Sequence, residues 1–160
     1  MCLIITGPAK NLVSTLLDTP MLLQDIYDSN GDGVGVMYAN SKGRLRVHKS
    51  LPKSWQQARE LVRQLPRDDR MMAMHWRWRT HGEINLEQCH PYHVTDGLAM
   101  MHNGVLHTGN HADTKKSDTW HFTQDYLADI VEGAPKVVHK PSMVEIIGEG
   151  GDAGRPVVSA

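Results

Sequence analysis

Position 2 of the chain holds a cysteine, a small residue before which an initiator methionine is expected to be removed. Removal of Met1 would leave a thiol and a free α-amine on one residue. Because an α-amine has a reference pKa of about 7.7 to 8.0, it can take the thiol proton as a general base near neutral pH. The thiolate would then act as a nucleophile. The alternative is that Cys2 is only a small buried residue in a first strand.

Four short polar motifs follow Cys2 in order along the chain. They are HWRWRTHG at 75–82, His90-Pro91, His102-Asn103-Gly104 and Ser117-Asp118-Thr119. Together with Cys2 and with NGDGVGV at 30–36, they resemble the class II glutamine amidotransferases, which are N-terminal-nucleophile hydrolases. The resemblance runs from Cys2 to about Leu127, and ordered matches are more specific than any one motif.

The resemblance implies an α/β (α+β) fold, an αββα sandwich of two mostly antiparallel sheets between helical layers. It implies a glutaminase-like domain over residues 1–149, shortened at its C-terminus, and a poorly ordered tail over residues 150–160. The chain looks like the small stand-alone glutaminase-domain type, such as the members carried by some bacteriophages. One residue departs from the family pattern, because Trp120 stands where many relatives have an acidic side chain.

Three residues are implied to be catalytic. Cys2 would be the nucleophile. The Asn103 side-chain amide and the Gly104 backbone N–H would form the oxyanion hole, as donors aimed at the charge that develops on the amide oxygen. A plain Asn-Gly turn between two strands is the alternative for this pair.

Four more residues, Arg77, Thr80, His81 and Asp118, are implied to bind substrate. Arg77 would hold an α-carboxylate through two parallel hydrogen bonds, and Asp118 would pair with an α-ammonium. The alternatives are a surface arginine at a strand end and a carboxylate favoured by a helix dipole. Thr80 and His81 would contact substrate from the backbone or from the surrounding shell.

The neighbouring residues receive lesser roles. His90-Pro91 would shape the pocket wall, Trp78 would pack, and Cys89 would be a bystander.

The reaction implied is hydrolysis of the glutamine side-chain amide to glutamate and ammonia through a γ-glutamyl thioester. The partners are then glutamine and a separate synthase or other ammonia-accepting subunit, and no cofactor is expected. Two alternatives remain open: a catalytically silent interaction module of the same fold, and an amidase for another γ-glutamyl amide.

Metal binding is not predicted. Asp28 to Gly33 matches the first half of a calcium-binding loop, but position twelve of that loop is Ala39 instead of a bidentate glutamate. The pairs His90 and His93, and His107 and His111, do not belong to a recognisable four-ligand zinc register. A tight turn and scattered histidines are the simpler interpretations.

Apolar periodicity predicts the elements that would position these residues. Helices are predicted after Thr19-Pro20, over Ser54–Leu65 with a Ser54/Gln57 capping box, and from Asp118 to Val131. A short apolar piece is noted between Pro141 and Gly148, and residues 80–95 are too irregular for either period. The predicted strands are Cys2 to Thr6 with a buried chain end, a hairpin of Val34–Tyr38 and Arg44–Lys49, Met71–His75, and Leu98–Met101.

Composition limits the class of protein. The chain has 160 residues, enough for one domain. Its 17 Lys plus Arg against 18 Asp plus Glu argue against a nucleic-acid partner. No apolar run has the ~20 residues of a membrane span, so no membrane partner and a cytoplasmic location are expected. Two cysteines exclude a disulfide scaffold, although not a single bridge.

Overall fold

The computed structural model describes residues 1–107 and 113–133, which form two antiparallel sheets and a set of helices. The strands are β1 (Leu3–Pro8), β2 (Val34–Ala39), β3 (Leu45–Ser50), β4 (Met71–Trp76), β5 (Tyr92–Thr95) and β6 (Leu98–Met100). The helices are α1 (Ala9–Asp18), α2 (Pro20–Asn30), α3 (Trp55–Arg63), α4 (Asp118–His121) and α5 (Ala128–Gly133), with a π-helical segment, Phe122–Leu127, between α4 and α5. The predicted α+β class with antiparallel sheets is confirmed.

Strand β4 is central in the first sheet, whose order is β1-β4-β2-β3. It pairs antiparallel with both β1 and β2. Successive side chains of a strand point to opposite faces. Met72, Met74 and Trp76 accordingly join the core under the helices, whereas Ala73 joins a second core on the other face. Both faces of this sheet are therefore covered.

The layers follow from these two cores. Helices α1, α2 and α3 pack on one face and contribute Leu16, Leu23 and Val62 to its core. The opposite face packs against β6 and the residue after it, through Ala99 and Met101. The π-helical segment and α5 in turn contact β5. The order is helix, sheet, sheet, helix, as the resemblance implied.

The predicted helix starts agree with the capping contacts. Ser54 accepts a hydrogen bond from Gln57 N at 3.3 Å, and the Gln57 side chain accepts one from Lys53 N at 2.9 Å, one residue before the N–H that a capping box uses. Ser117 caps α4 by accepting from Trp120 N at 3.1 Å. Pro20 is the first residue of α2, although Thr19 makes no side-chain cap bond. No helix within residues 1–107 and 113–133 is long and apolar enough to cross a membrane.

Four features of the fold differ from the sequence prediction. The helix predicted from Asp118 to Val131 is divided into α4, the π-helical segment and α5. Helix α1 was not predicted, because Pro8 precedes it with no side-chain cap. Strand β5 lies in a stretch interpreted as irregular, because only Tyr92 and Val94 of its four residues face inward. The chain end is not buried, since Met1 is 85% exposed. The piece from Pro141 to Gly148, the domain end at 149 and the tail 150–160 lie outside the described residues.

Three histidines, His75, His90 and His102, are buried on the side of β4 that faces the second sheet. The rings of His75 and His90 lie 4.1 Å apart between centroids. Burial lowers the pKa of His75 to about 4 and holds the pKa of His90 well below its ordinary value. Burial also lowers the pKa of His102, which the charge of Asp118 raises in part. All three rings are therefore neutral at pH 7.

We predict that Gly35→Ala destabilises the protein strongly. A Cβ atom at Gly35 would overlap the carbonyl oxygen of His90, where β2 meets the segment entering β5. Because both partners are backbone, neither can move aside, and overpacking should cost at least about 2 kcal/mol in urea unfolding. Gly97→Ala is the control, since a Cβ atom at Gly97 would have no other atom within 4 Å. Equal stability of the two variants would contradict this account of the sheet contact.

We also predict that stability falls in mild acid because of His75. Its folded-state pKa of about 4 is below the unfolded value of about 6.5, so the unfolded chain binds the extra proton between these pH values. This contribution is complete above pH 6.5, and about 3 kcal/mol of it is lost by pH 4. In urea unfolding from pH 7 to 4, His75→Gln should lose correspondingly less stability than wild type. If both proteins lose the same free energy of unfolding between pH 7 and 4, His75 is not the source of the acid sensitivity.

Candidate active site at the end of strand β4

Arg77 directly follows β4 and lies between two other segments at the end of the sheet. The register that pairs Leu3 with Trp76 brings Cys2 opposite Arg77. On the other side, Arg77 N donates to Gly33 O at 2.8 Å, and Asp32 N donates to Arg77 O at 3.1 Å. The central strand therefore brings Cys2 and the Asp32-Gly33 turn to the same point.

The Cys2 thiol is half-buried and donates to the Trp78 carbonyl at 3.4 Å. Burial raises the pKa of this thiol, while the Trp78 contact and the positive charges of the N-terminus and Arg77 lower it in part. The charge of Asp118 raises it. Both Arg77 and Asp118 are thus close enough to act electrostatically on Cys2. Met1 precedes it here, so the Cys2 nitrogen is a peptide nitrogen rather than an amine.

Arg77 is buried, with 4% of the residue exposed, and its guanidinium binds the loop that follows it. Its Nη1 donates to Glu83 O at 2.8 Å, and its Nη2 donates to His81 O at 3.0 Å. A guanidinium has five N–H donors, so donors remain for a further acceptor. The interpretation of Arg77 as a surface arginine is wrong, because the side chain is buried.

Asp118 is the first residue of α4 and connects this helix to the loop after β6. Its Oδ2 accepts from Leu106 N at 2.6 Å, and its Oδ1 accepts from Thr119 N at 2.8 Å. Its carboxylate therefore lies at a helix N-terminus, as one interpretation of the sequence expected. The same carboxylate also raises the pKa of Cys2 through its charge.

Asn103 and Gly104 lie in the loop between β6 and α4. The Oδ1 atom of Asn103 is buried and has no hydrogen-bond partner within the described part of the chain. Gly104 has φ +139°, a conformation that favours glycine, and a Cβ there would lie 3.3 Å from the His102 ring. Asp118, whose charge acts on the Cys2 thiol, also binds Leu106 N, two residues after Gly104.

Thr80 and His81 are exposed on the loop after Trp78. His81 takes part through its carbonyl, which binds Arg77. Trp78 does not pack as expected, since it is 50% exposed. Cys89 is buried and donates to Asn85 O at 3.3 Å. Burial raises the pKa of its thiol, while the charges of Arg77 and Lys49 and a hydrogen bond with the Arg77 side chain lower it in part.

The segment Asp28 to Gly33 does not form a calcium loop. Asp28 and Asn30 belong to α2, and Asp32 Oδ2 accepts from Arg79 N at 2.7 Å. Across residues 1–107 and 113–133, no cluster of three or more His, Cys, Asp or Glu side chains could hold a metal ion. His111, one of the histidines considered from the sequence, lies outside these residues.

An open cleft of about 590 Å³ adjoins the candidate site. Its walls are the end of α2 with the turn after it, and Trp78, Arg79 and Ile84 from the loop after β4. Cys2, Arg77, Asn103 and Asp118 do not line it, so this cleft is a neighbour of the site. Trp78 joins the two, because its side chain lines the cleft and its carbonyl binds the Cys2 thiol.

Sequence reasoning missed the role of three residues around the site. Asn30 donates through Nδ2 to the Met1 carbonyl at 2.7 Å, which holds the start of the chain against the end of α2. His75 Nε2 contacts His102 O at 3.2 Å, and Thr119 Oγ1 contacts His102 Nδ1 at 3.3 Å. A signal existed for His75, since it is the one polar residue in the run MMAMHW.

Comparison with known proteins finds relatives whose names all refer to glutamine. No protein-family model matches the chain. The chain is 37% identical over 90 residues to the isomerizing glutamine–fructose-6-phosphate aminotransferase of Helicobacter pylori, across 56% of this chain and 14% of that protein. It is 30% identical over 75 residues to the aminotransferase of that name from Idiomarina loihiensis, across 47% of this chain and 12% of the relative.

A third relative aligns over more of the chain. It is the probable glutamine amidotransferase DUG3 of Saccharomyces cerevisiae, 27% identical over 137 residues, across 82% of this chain and 37% of the relative. The chain thus spans only 12% to 37% of the length of these three relatives. At this partial, low identity, the matches support a relation of the chain to glutamine amidotransferases.

Proposed function

We propose that this chain hydrolyses the side-chain amide of glutamine to glutamate and ammonia, with Cys2 as an N-terminal nucleophile after removal of Met1. The observation that carries the proposal is the meeting of Cys2 with Arg77 at the end of β4, within the electrostatic reach of Asp118. A nucleophile opposite a cation, with an anion whose charge also acts on the thiol, suits an amino acid that carries both an α-carboxylate and an α-ammonium. The relation to glutamine amidotransferases points to the same substrate.

The first step forms a thioester. The freed α-amine takes the thiol proton, which matters because burial raises the pKa of Cys2 and disfavours the thiolate. The sulfur attacks the side-chain amide carbon of glutamine, and negative charge moves onto the amide oxygen. The Asn103 amide and the Gly104 N–H stabilise this oxyanion. The C–N bond then breaks, and the α-ammonium protonates the departing nitrogen to give ammonia.

The second step regenerates the enzyme. Water, deprotonated by the α-amine, attacks the γ-glutamyl thioester, glutamate leaves, and the proton returns to the Cys2 sulfur. Arg77 holds the substrate α-carboxylate with donors that His81 O and Glu83 O do not use. Asp118 holds the α-ammonium, and Thr80 and His81 border the substrate. We further propose that the ammonia passes to a separate synthase or another accepting subunit.

We predict that Cys2→Ser abolishes ammonia release from glutamine, because a serine hydroxyl is far less acidic and less nucleophilic than a thiol. Cys89→Ser is the matched control, since serine can still donate to Asn85 O, and it should keep activity within about tenfold. Ammonia release is measured on protein whose intact mass shows that Met1 is absent. Undiminished release by Cys2→Ser, or none from processed wild type, would contradict the proposal.

We also predict a substrate-specific effect of Asp118→Asn. Losing a charge-assisted contact of about 1.5–3 kcal/mol should raise KM for glutamine roughly 10- to 100-fold. Glutaric acid monoamide has the same carboxylate and amide but no α-ammonium. It should therefore be hydrolysed with a similar KM by both proteins. Because Asp118 also binds Leu106 N, a general loosening of the loop would weaken both substrates equally, and that result would remove Asp118 from the ammonium site.

A further inference from the structure

Both backbone polar groups of His102 are bound by the ring nitrogens of two other buried histidines. His102 N donates to His90 Nδ1 at 3.2 Å, and His102 O contacts His75 Nε2 at 3.2 Å. His102 directly precedes Asn103 and Gly104. Two side chains that are 1% and 6% exposed thus fix the backbone at the entrance to the candidate oxyanion loop.

The directions of these bonds assign the protons on both rings. A carbonyl oxygen only accepts, so His75 must carry hydrogen on Nε2. A backbone N–H only donates, so His90 must be unprotonated on Nδ1, which makes it a neutral ring with hydrogen on Nε2. The surroundings favour neutral rings. Burial lowers the pKa of both, the two rings pack on each other, and the charges of Arg77 and Lys49 lower the pKa of His90 further.

On the far side of the loop, Leu106 N donates to Asp118 Oδ2 at 2.6 Å. On the near side, the His102 ring contacts Thr119 Oγ1 at 3.3 Å. Asn103 and Gly104 therefore lie between a histidine anchor on one side and a contact to the start of α4 on the other. The buried Oδ1 of Asn103 has no hydrogen-bond partner among the described residues, so no hydrogen bond to that atom fixes the side chain.

We propose that His75 and His90 are positioning residues that hold the His102 backbone so that the Asn103 amide and Gly104 N–H stay aimed at the oxyanion. This inference rests on the proposed function. Oxyanion donors act on charge that exists only in the transition state, so misaligning them lowers kcat and leaves KM nearly unchanged. Removal of a donor costs about 10²–10³ in rate, and Asn103→Ala marks that limit.

Asparagine and glutamine substitutions separate positioning from packing. In asparagine, Oδ1 is bonded to Cγ, as Nδ1 is in histidine, so His90→Asn can still accept from His102 N. His90→Gln keeps more side-chain volume but carries its acceptor one bond too far. The expected order is that His90→Gln has a kcat roughly 10- to 100-fold below that of His90→Asn, with similar KM values. A space-filling role predicts the reverse order, because glutamine leaves the smaller cavity.

At His75 the same comparison is expected to favour glutamine over asparagine. Glutamine Nε2 can replace His75 Nε2 as the donor to His102 O, whereas asparagine is too short. His75→Gln should keep kcat and His75→Asn should lose it, again at nearly constant KM. This pair gives a second test if a His90 variant fails to fold.

Amide hydrogen exchange tests the anchor without any activity. The His102 N–H should exchange slowly in wild type and His90→Asn, and at least tenfold faster in His90→Gln. If processed wild type releases no ammonia, the proposed function fails, while the exchange order still decides the histidine anchor. If wild type is active and the two His90 variants share one kcat and one exchange rate, the positioning role is overturned and the proposed function stands.

Discussion

The antiparallel pairing of β1 and β2 onto β4 is the constraint on which the candidate site depends. Cys2 has no fixed position of its own, because it lies one residue from the chain start. The register that pairs Leu3 with Trp76 brings it opposite Arg77. The bond from Arg77 N to Gly33 O closes the other side of the same strand end. A shift of one residue in either pairing would also turn side chains from one core to the other, so the two cores maintain the site.

The space between the two sheets is polar near the site and apolar farther from it. Ala73, Ala99 and Met101 form the apolar part, and the three buried histidines form the polar part. Buried polar groups are tolerated when they are hydrogen-bonded, and these rings bond mainly to the His102 backbone and Thr119. Gly35 allows the His90 carbonyl to approach β2 closely. The same buried histidines that hold the His102 backbone therefore make the stability of the fold sensitive to acid.

Much of the fold could be predicted from the sequence because its signals are local. Periodicity and capping residues marked α3 and α4. An apolar run of strand length marked β4, and turn residues marked the hairpin of β2 and β3. Helix α1 was missed although Val13 and Leu16 are spaced for one buried face, because Pro8 offers no capping side chain. Strand β5 is only four residues long, and its inward residues become recognisable only when β6 pairs with it.

The candidate site divides in the same way. Ordered motifs identified which residues to consider, and the β1–β4 register brings Cys2 opposite Arg77, while the charge of Asp118 acts on the Cys2 thiol. No sequence pattern could indicate that Arg77 binds the carbonyls of its own loop, that Asp118 binds Leu106 N, or that two histidines bind His102. Each of these contacts involves a backbone atom. Because every residue has the same backbone atoms, the residue types do not indicate which of them will be bound.

Processing of the N-terminus links these contacts to the proposed chemistry. With Met1 present, the Cys2 nitrogen is an amide and cannot act as a base, and burial raises the pKa of the thiol beside it. Asn30 meanwhile donates to the Met1 carbonyl. Removal of Met1 would deprive Asn30 of this acceptor and create an amine close to the same position. A side-chain amide carries both donors and an acceptor, so Asn30 can rotate and accept from that amine. Under the proposed function, the residue that holds Met1 would therefore lie beside the amine of Cys2.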